Sequence, residues 1–171
     1  MAETTAQYKQ RVLSYADGQD ALTLQAATPK KIAKLVAAAS PAKLKRRPAP
    51  VGGKVKWSAA EILAHLADTE AAFAYRYRAI AGHPGIAIQG FDQDEWAERM
   101  GYARRPAAAS LAAYLALRKF NLALLKSLSR EQWQQIGNHV ERGAESLEVI
   151  ARMVAGHDLN HLRQLESLLR G

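Results

Sequence analysis

Residues 58–80, SAAEILAHLADTEAAFAYRYRAI, decide how this chain folds. Ser58 followed three residues later by Glu61 is a capping box. The Ser hydroxyl accepts from the Glu amide, and the Glu carboxylate reaches back to the Ser amide. Beyond it, Ile62, Leu66, Phe73 and Tyr77 recur at helical spacing, so one face of a helix is buried. The spacing predicts a helix from Ser58 to about Ile80, with Gly82 as its stop. His65 lies beside Ile62 and Leu66, close to the apolar face. An imidazole there is either a hydrogen-bonded core residue or a ligand aimed into the interior.

Working outward, an earlier helix is expected from about Gln19–Leu24 to Ala39, with Ile32, Leu35 and Val36 as its stripe. Thr28-Pro29 reads as a fresh start within it, a Thr cap followed by Pro at the first helical position. The segment 43–56, KLKRRPAPVGGKVK, reads as loop. Residues 82–105 form a long connection in which Asp92 caps a short helix from Gln93 to Met100. A third long helix is expected over Pro106–Leu128, with Leu111, Leu115, Leu122 and Leu125 inward, and Ser129 starts a short helix carrying Trp133. The last helix runs from Ser146 to about Leu169, with Glu145 and Glu148 near its positive end. No segment shows the alternation of a strand. Four long amphipathic helices predict an all-α protein, a four-helix bundle with short extra helices in the long connections. The length fits a single domain over residues 1–171, with 1–16 as an N-terminal extension.

Composition narrows the chemistry. The chain has no cysteine, which excludes disulfides, thiolate metal sites and cysteine nucleophiles. The N-terminus is polar, without the apolar core of a signal peptide, and no apolar run approaches the ~20 residues that cross a bilayer. These features predict a soluble, cytoplasmic protein with no membrane partner. The net charge is +8, and no acidic residue lies between Asp20 and Glu61. That stretch holds Lys30, Lys31, Lys34, Lys43, Lys45, Arg46, Arg47, Lys54 and Lys56. Such a patch attracts anions, nucleic acid among them. No aromatic residue lies between Tyr15 and Trp57 to stack on bases, which weighs against nucleic acid.

Of the five histidines, His157 and His161 fall in the last helix as HDLNH. Residues four apart share a helix face, so both imidazoles can point at one spot, a common half-site for a divalent metal. Histidines near a helix C-terminus also interact well with the helix dipole. With His65 from a facing helix the ligand set would be three nitrogens, leaving open positions as in catalytic sites. The zinc-protease motif shares the spacing but needs Glu after the first His, where this chain has Asp158.

Together, KWSAAEILAHLADTE, FDQDEW, the histidine of NHVERG and GHDLNHLRQLE resemble the DinB-like (YfiT-type) family of metal-dependent enzymes, over about Asp17 to Leu169. The resemblance implies an up-down-down-up bundle and a divalent metal held at positions matching His65, His157 and His161. Zinc and nickel are the metals most expected of three imidazoles. The family includes thiol-dependent transferases and proposed hydrolases, so the implied activity is thiol S-transfer, with a low-molecular-weight thiol as co-substrate, or hydrolysis of a small molecule. It also implies a homodimer. The alternative is a non-catalytic bundle that binds a ligand or partner and keeps a structural metal.

Candidates to complete a site follow from proximity. Asp68, three residues beyond His65, is a candidate catalytic residue that would flank the metal, unless it is a surface acid paired to a base. His139, with Glu141, lies in the segment before the last helix and is the second catalytic candidate. Asp92 and Trp96 are candidates to cover the site, and Tyr75, Arg76 and Arg78 to bind a carboxylate. Asp158, one residue past His157, is expected to face away from the metal.

Overall fold

The computed structural model describes residues 3–53 and 55–170, so Lys54 of the basic stretch lies outside the described residues. The long helices are α2 (Ala21–Ala37), α4 (Ala59–Gly82), α6 (Ala107–Ser127) and α8 (Leu147–Arg170). Shorter ones are α1 (Thr5–Tyr15), α3 (Pro41–Lys45), α5 (Gln93–Arg99) and α7 (Arg130–Trp133). Strands β1 (Ala87–Ile88), β2 (Ile136–His139) and β3 (Gly143–Ser146) complete the described elements, with a 3₁₀ turn at Tyr102–Arg104.

Two apolar clusters fix the helix directions. One joins Ile32 and Val36 of α2 and Ile62, Leu63 and Leu66 of α4 to Tyr114 of α6 and Leu162, Leu165 and Leu169 of α8. The other joins Phe73, Tyr77 and Ile80 of α4, Leu125 of α6 and Leu147, Ile150 and Val154 of α8, with Leu22 of α2 packed on it. Residue numbers rise together between α2 and α8 and between α4 and α6, and run oppositely between the two pairs. The order is therefore up, down, down, up, and the long connection from Gly82 to Ala107 is what lets α4 and α6 run parallel. The capping box at Ser58 is present, with Ser58 N donating to Glu61 Oε2 at 2.9 Å and Glu61 N to Ser58 Oγ at 3.3 Å. Arg47 of the basic stretch pairs with the same Glu61 carboxylate.

Three local expectations are corrected. α2 does not restart at Thr28; it runs through Pro29, capped by Asp20. Proline deprives the carbonyl four residues earlier of its donor. That carbonyl, Gln25 O, accepts instead from Arg118 Nη1 at 3.3 Å. The segment expected as loop begins inside α3 (Pro41–Lys45), whose Ser40 caps Lys43 N. The N-terminal extension is a helix with its own capping box (Thr4 and Gln7), and its Val12 is fully buried. It crosses α8 at Gly156, where a Cβ would come within 1.7 Å of Val12 O, so only glycine admits the contact.

The third correction is the small sheet. β2 and β3 form an antiparallel hairpin, pairing Ile136 with Ser146 and His139 with Gly143, and β1 adds in parallel. Gly137 lets the hairpin close on α4, since a Cβ there would lie 2.6 Å from Ile80 Cδ1. α6 is long and apolar enough to cross a membrane by length and composition, against the expectation that no run approaches that length. It packs on α2 and α4 and carries the buried polar residues Arg118 and Asn121.

Candidate metal centre and cavity

Antiparallel α4 and α8 set His65 opposite His157 and His161. His157 Nε2 lies 2.9 Å from His65 Nε2 and 3.0 Å from His161 Nε2, and the ligand-capable atoms of all three fall within 4.8 Å of one another. All three residues are buried. Burial is the main cause holding each imidazole below its ordinary range, His161 to about 4, and the neighbouring imidazoles reinforce it at His65 and His157. The cluster is therefore neutral at neutral pH, which is the ligating form of histidine.

The donor set fits a divalent cation. His161 Nδ1 faces Gln164 Oε1 at 2.8 Å, so its proton sits there and its Nε2 presents a lone pair to the cluster. A single proton on His157 Nε2 can point at only one of its two neighbours, leaving the other short contact uncompensated. A divalent cation held by the three imidazoles would resolve this. The Gln164 contact is the kind of outer hydrogen bond that fixes a ligand tautomer. Sequence reasoning missed it, although Gln164 lies three residues after His161 and so on the same helix face.

Asp158 points elsewhere, as expected. It joins Arg118 and Glu70 in a second buried cluster. Arg118 Nη2 donates to Glu70 Oε1 at 2.6 Å and to Asp158 Oδ1 at 3.0 Å, Arg118 Nη1 pairs with Asp158 Oδ2, and Asn121 Nδ2 donates to Glu70 Oε2 at 3.0 Å. Asp158 is thus unavailable as the base of a zinc-protease motif.

A cavity of about 540 Å³ opens from the imidazoles, with His65 and His157 at its inner end. Thr69, Phe73 and Arg76 of α4 form one wall, because steps of four, eight and eleven residues from His65 return to one side of a helix. Tyr8 and Val12 of α1 form another. Asp68 does not line this cavity. Three residues from His65 is about −60° around the helix, which turns its carboxylate to Arg105 Nη1 at 2.7 Å. The structure therefore corrects the expectation that Asp68 flanks the site.

His139 does line the cavity and is buried. Its Nδ1 accepts from Glu141 N–H at 3.2 Å, which puts its proton on Nε2, an atom with no partner. Burial, then Arg142 and Arg76, lower its pKa, so it is neutral. Asp92 lines the outer part of the cavity while capping α5 through Asp94 N and Glu95 N. Trp96 is not among the lining residues and stacks on Phe91 with centroids 4.1 Å apart. Of the three expected carboxylate binders, only Arg76 reaches the cavity. Tyr75 is exposed, and Arg78 donates to Asn121 Oδ1 and lies over Phe120.

Comparison with known proteins gives three findings. The sequence profile of the DinB superfamily matches residues 25–165. A Bacillus cereus protein named "Putative metal-dependent hydrolase" is 27% identical over 121 residues, 71% of this chain and 68% of its own length. A Bacillus thuringiensis relative of the same description is 26% identical over the same shares. Among solved structures, YfiT from Bacillus subtilis, described as a probable metal-dependent hydrolase with an unusual four-helix bundle topology, superposes with a TM-score of 0.78. It is 20% identical, and the match covers 99% of this chain and 89% of that one.

Proposed function

The chain belongs to the DinB superfamily, and from that membership and the three converging imidazoles we propose that it is a metal-dependent hydrolase of small molecules. The observation that carries the reading is the convergence of three buried imidazoles, two of which, His65 and His157, line a cavity. His65, His157 and His161 would hold the cation. When bound, it supplies Lewis acidity there, acidifying water or polarising a carbonyl. Zinc and nickel suit an all-imidazole set.

The remaining steps fall to the chain itself. α1 and the hairpin wall the cavity and limit water to its open mouth. Thr69 Oγ1, 3.5 Å from His65 Nε2, is a hydroxyl beside the reacting end. His139 offers an Nε2–H to a substrate oxygen, so in this tautomer it binds rather than abstracts a proton. The name carried by the curated relatives supports hydrolysis.

The test is elemental analysis of untagged protein purified without chelator, beside His157→Ala. About one equivalent of zinc or nickel in the parent and none in the variant supports the reading, and ester and amide substrates can then be screened. Absence of metal in both after incubation with zinc and nickel sinks it.

A further inference from the structure

Arg76 is a buried cation, 6% exposed, with no direct ion pair among the described residues. Its Nη2 donates to Gln89 O, and its guanidinium lies 5.1 Å from the Phe73 ring centroid and 5.2 Å from that of Phe91. Aromatic faces offset part of the cost of burying a charge but leave the edge of the guanidinium fork unused. The contrast with Arg118 is direct, since that equally buried guanidinium holds two carboxylates. Burial, then the nearby Arg142, lowers the Arg76 pKa to about 10 against the opposing pull of Glu145 and Glu141, which leaves it charged at neutral pH.

The surroundings decide what the cation awaits. Arg142 is held by both oxygens of Glu145, which Lys9 also contacts, so neither base turns its full charge to the cavity. His139 lines the same cavity, is 3% exposed, and carries an unpartnered Nε2. Glu3, Asp92, Asp94 and Glu141 also line the cavity and would repel a multiply charged ligand most strongly. A planar fork and one imidazole N–H match the two oxygens of a carboxylate. One unpaired guanidinium among these carboxylates matches a monoanion rather than a phosphate dianion.

We propose that Arg76 and His139 form a carboxylate subsite, so that the substrate carries one carboxylate at the end remote from the three imidazoles. Arg76 stands eleven residues past His65 on the same face of α4, roughly 16 Å along the axis, and its side chain leans back toward His65. The substrate is thus an elongated small acid, with a reactive bond on the order of 10 Å from its carboxylate. This rests on the cavity being the substrate site of the proposed hydrolase.

The experiment uses the full chain as purified and measures dissociation constants for butanoate, hexanoate and octanoate, their primary amides, and the matching alkyl phosphates. The carboxylates should bind saturably, and the amides and phosphates about tenfold more weakly or worse. Arg76→Gln should weaken carboxylate binding by about tenfold or more, while Arg76→Lys retains part of it. If Arg76→Gln does not fold, His139→Asn decides the matter. It keeps an acceptor for the Glu141 amide, removes the Nε2–H, and should weaken the carboxylates but not the amides. Equal binding of acid and amide, tighter binding of phosphate, or carboxylate binding indifferent to both substitutions overturns the subsite. The last outcome is also what a carboxylate attached only to a metal would give. Metal content of the same samples separates the two ideas. Metal without Arg76-dependent binding removes the subsite alone, and Arg76-dependent binding without metal removes the hydrolase reading alone.

Discussion

Two buried polar clusters share the middle of this bundle, and neighbouring residues of α8 feed them. His157 joins His65 and His161; Asp158, about 100° further round the helix, joins Arg118 and Glu70. The second cluster is nearly closed: its cation has two anions and Asn121 takes a remaining carboxylate oxygen, which leaves Arg118 Nε as the guanidinium atom without a partner. The first is open. Three nitrogens of the same kind face one another, and His157 Nδ1 has no partner either. Burial and polarity are common to both, so neither property marks a functional site. Pairing distinguishes them: one sets opposite charges against each other, and the other brings three like nitrogens together.

The sharpest way to break this comparison is to remove the cation of the closed cluster. Arg118→Met leaves Glu70 and Asp158 buried without a counter-charge and strips Gln25 O of its donor. Breaking a buried pair from one side costs about 3–5 kcal/mol, read as a fall in the urea midpoint at unchanged slope. A loss below about 1 kcal/mol would mean that the network is hydrated and not closed.

The open cluster should behave in the opposite way. In metal-free protein His157→Ala removes one member of an uncompensated contact and should cost much less than Arg118→Met. Its effect should appear on adding cation. A ligand at one hundred times its dissociation constant stabilises the fold by about 2.7 kcal/mol, and the parent should show that rise in thermal midpoint with zinc or nickel while His157→Ala shows none. Equal rises in both would place binding elsewhere.

The same contrast separates what could be read in the sequence from what could not. The long helices announced themselves through local devices: the Ser58 box, the Asp92 cap, the apolar stripes. His65, His157 and His161 were legible because i,i+4 spacing on one helix and an inward histidine on another need only helical geometry. Arg118 was missed although a signal existed. It falls in the inward stripe of α6, between Tyr114 and Leu125, where a charge demands partners from facing helices. Asp68 misled because closeness in sequence to His65 was allowed to stand for direction. Thr28-Pro29 misled because the donor that rescues Gln25 O comes from α6, 93 residues away. The hairpin gave no local signal, since strands of four residues show almost no period, and its place depends on Gly137 meeting Ile80.

α1 is the part of the cavity wall that local sequence hid most completely, since its docking depends on Gly156, 144 residues from Val12. Gly156→Ala tests whether that wall matters. The new methyl would meet backbone rather than a flexible side chain, so α1 must shift or detach, at about 1–3 kcal/mol for overpacking. Proteolysis near the N-terminus should accelerate while metal content holds, because all three imidazoles lie on α4 and α8. Loss of metal in this variant would show that α1 supports the open cluster as well as walling it.

The smallest effect concerns the rim, where Glu145 ties α1 to the hairpin through Lys9 at 2.7 Å and Arg142 at 2.9 Å. Burial alone would raise the Glu145 carboxyl, but the hydrogen bonds and charges of Arg142 and Lys9 outweigh it and hold the pKa below its usual value. A depressed carboxyl stabilises the fold above its unfolded pKa, near 4.5, and that contribution drains away as pH falls through the lower folded value. Both bases are partly open to water, so the contribution is about 1 kcal/mol. Glu145→Gln should therefore lose about that much at pH 7, and the gap to the parent should narrow below pH ~4. A gap that stays constant down to acid pH would mean that the glutamate holds the rim by packing and hydrogen bonding alone, making it another closed polar contact rather than a charge clamp on the cavity.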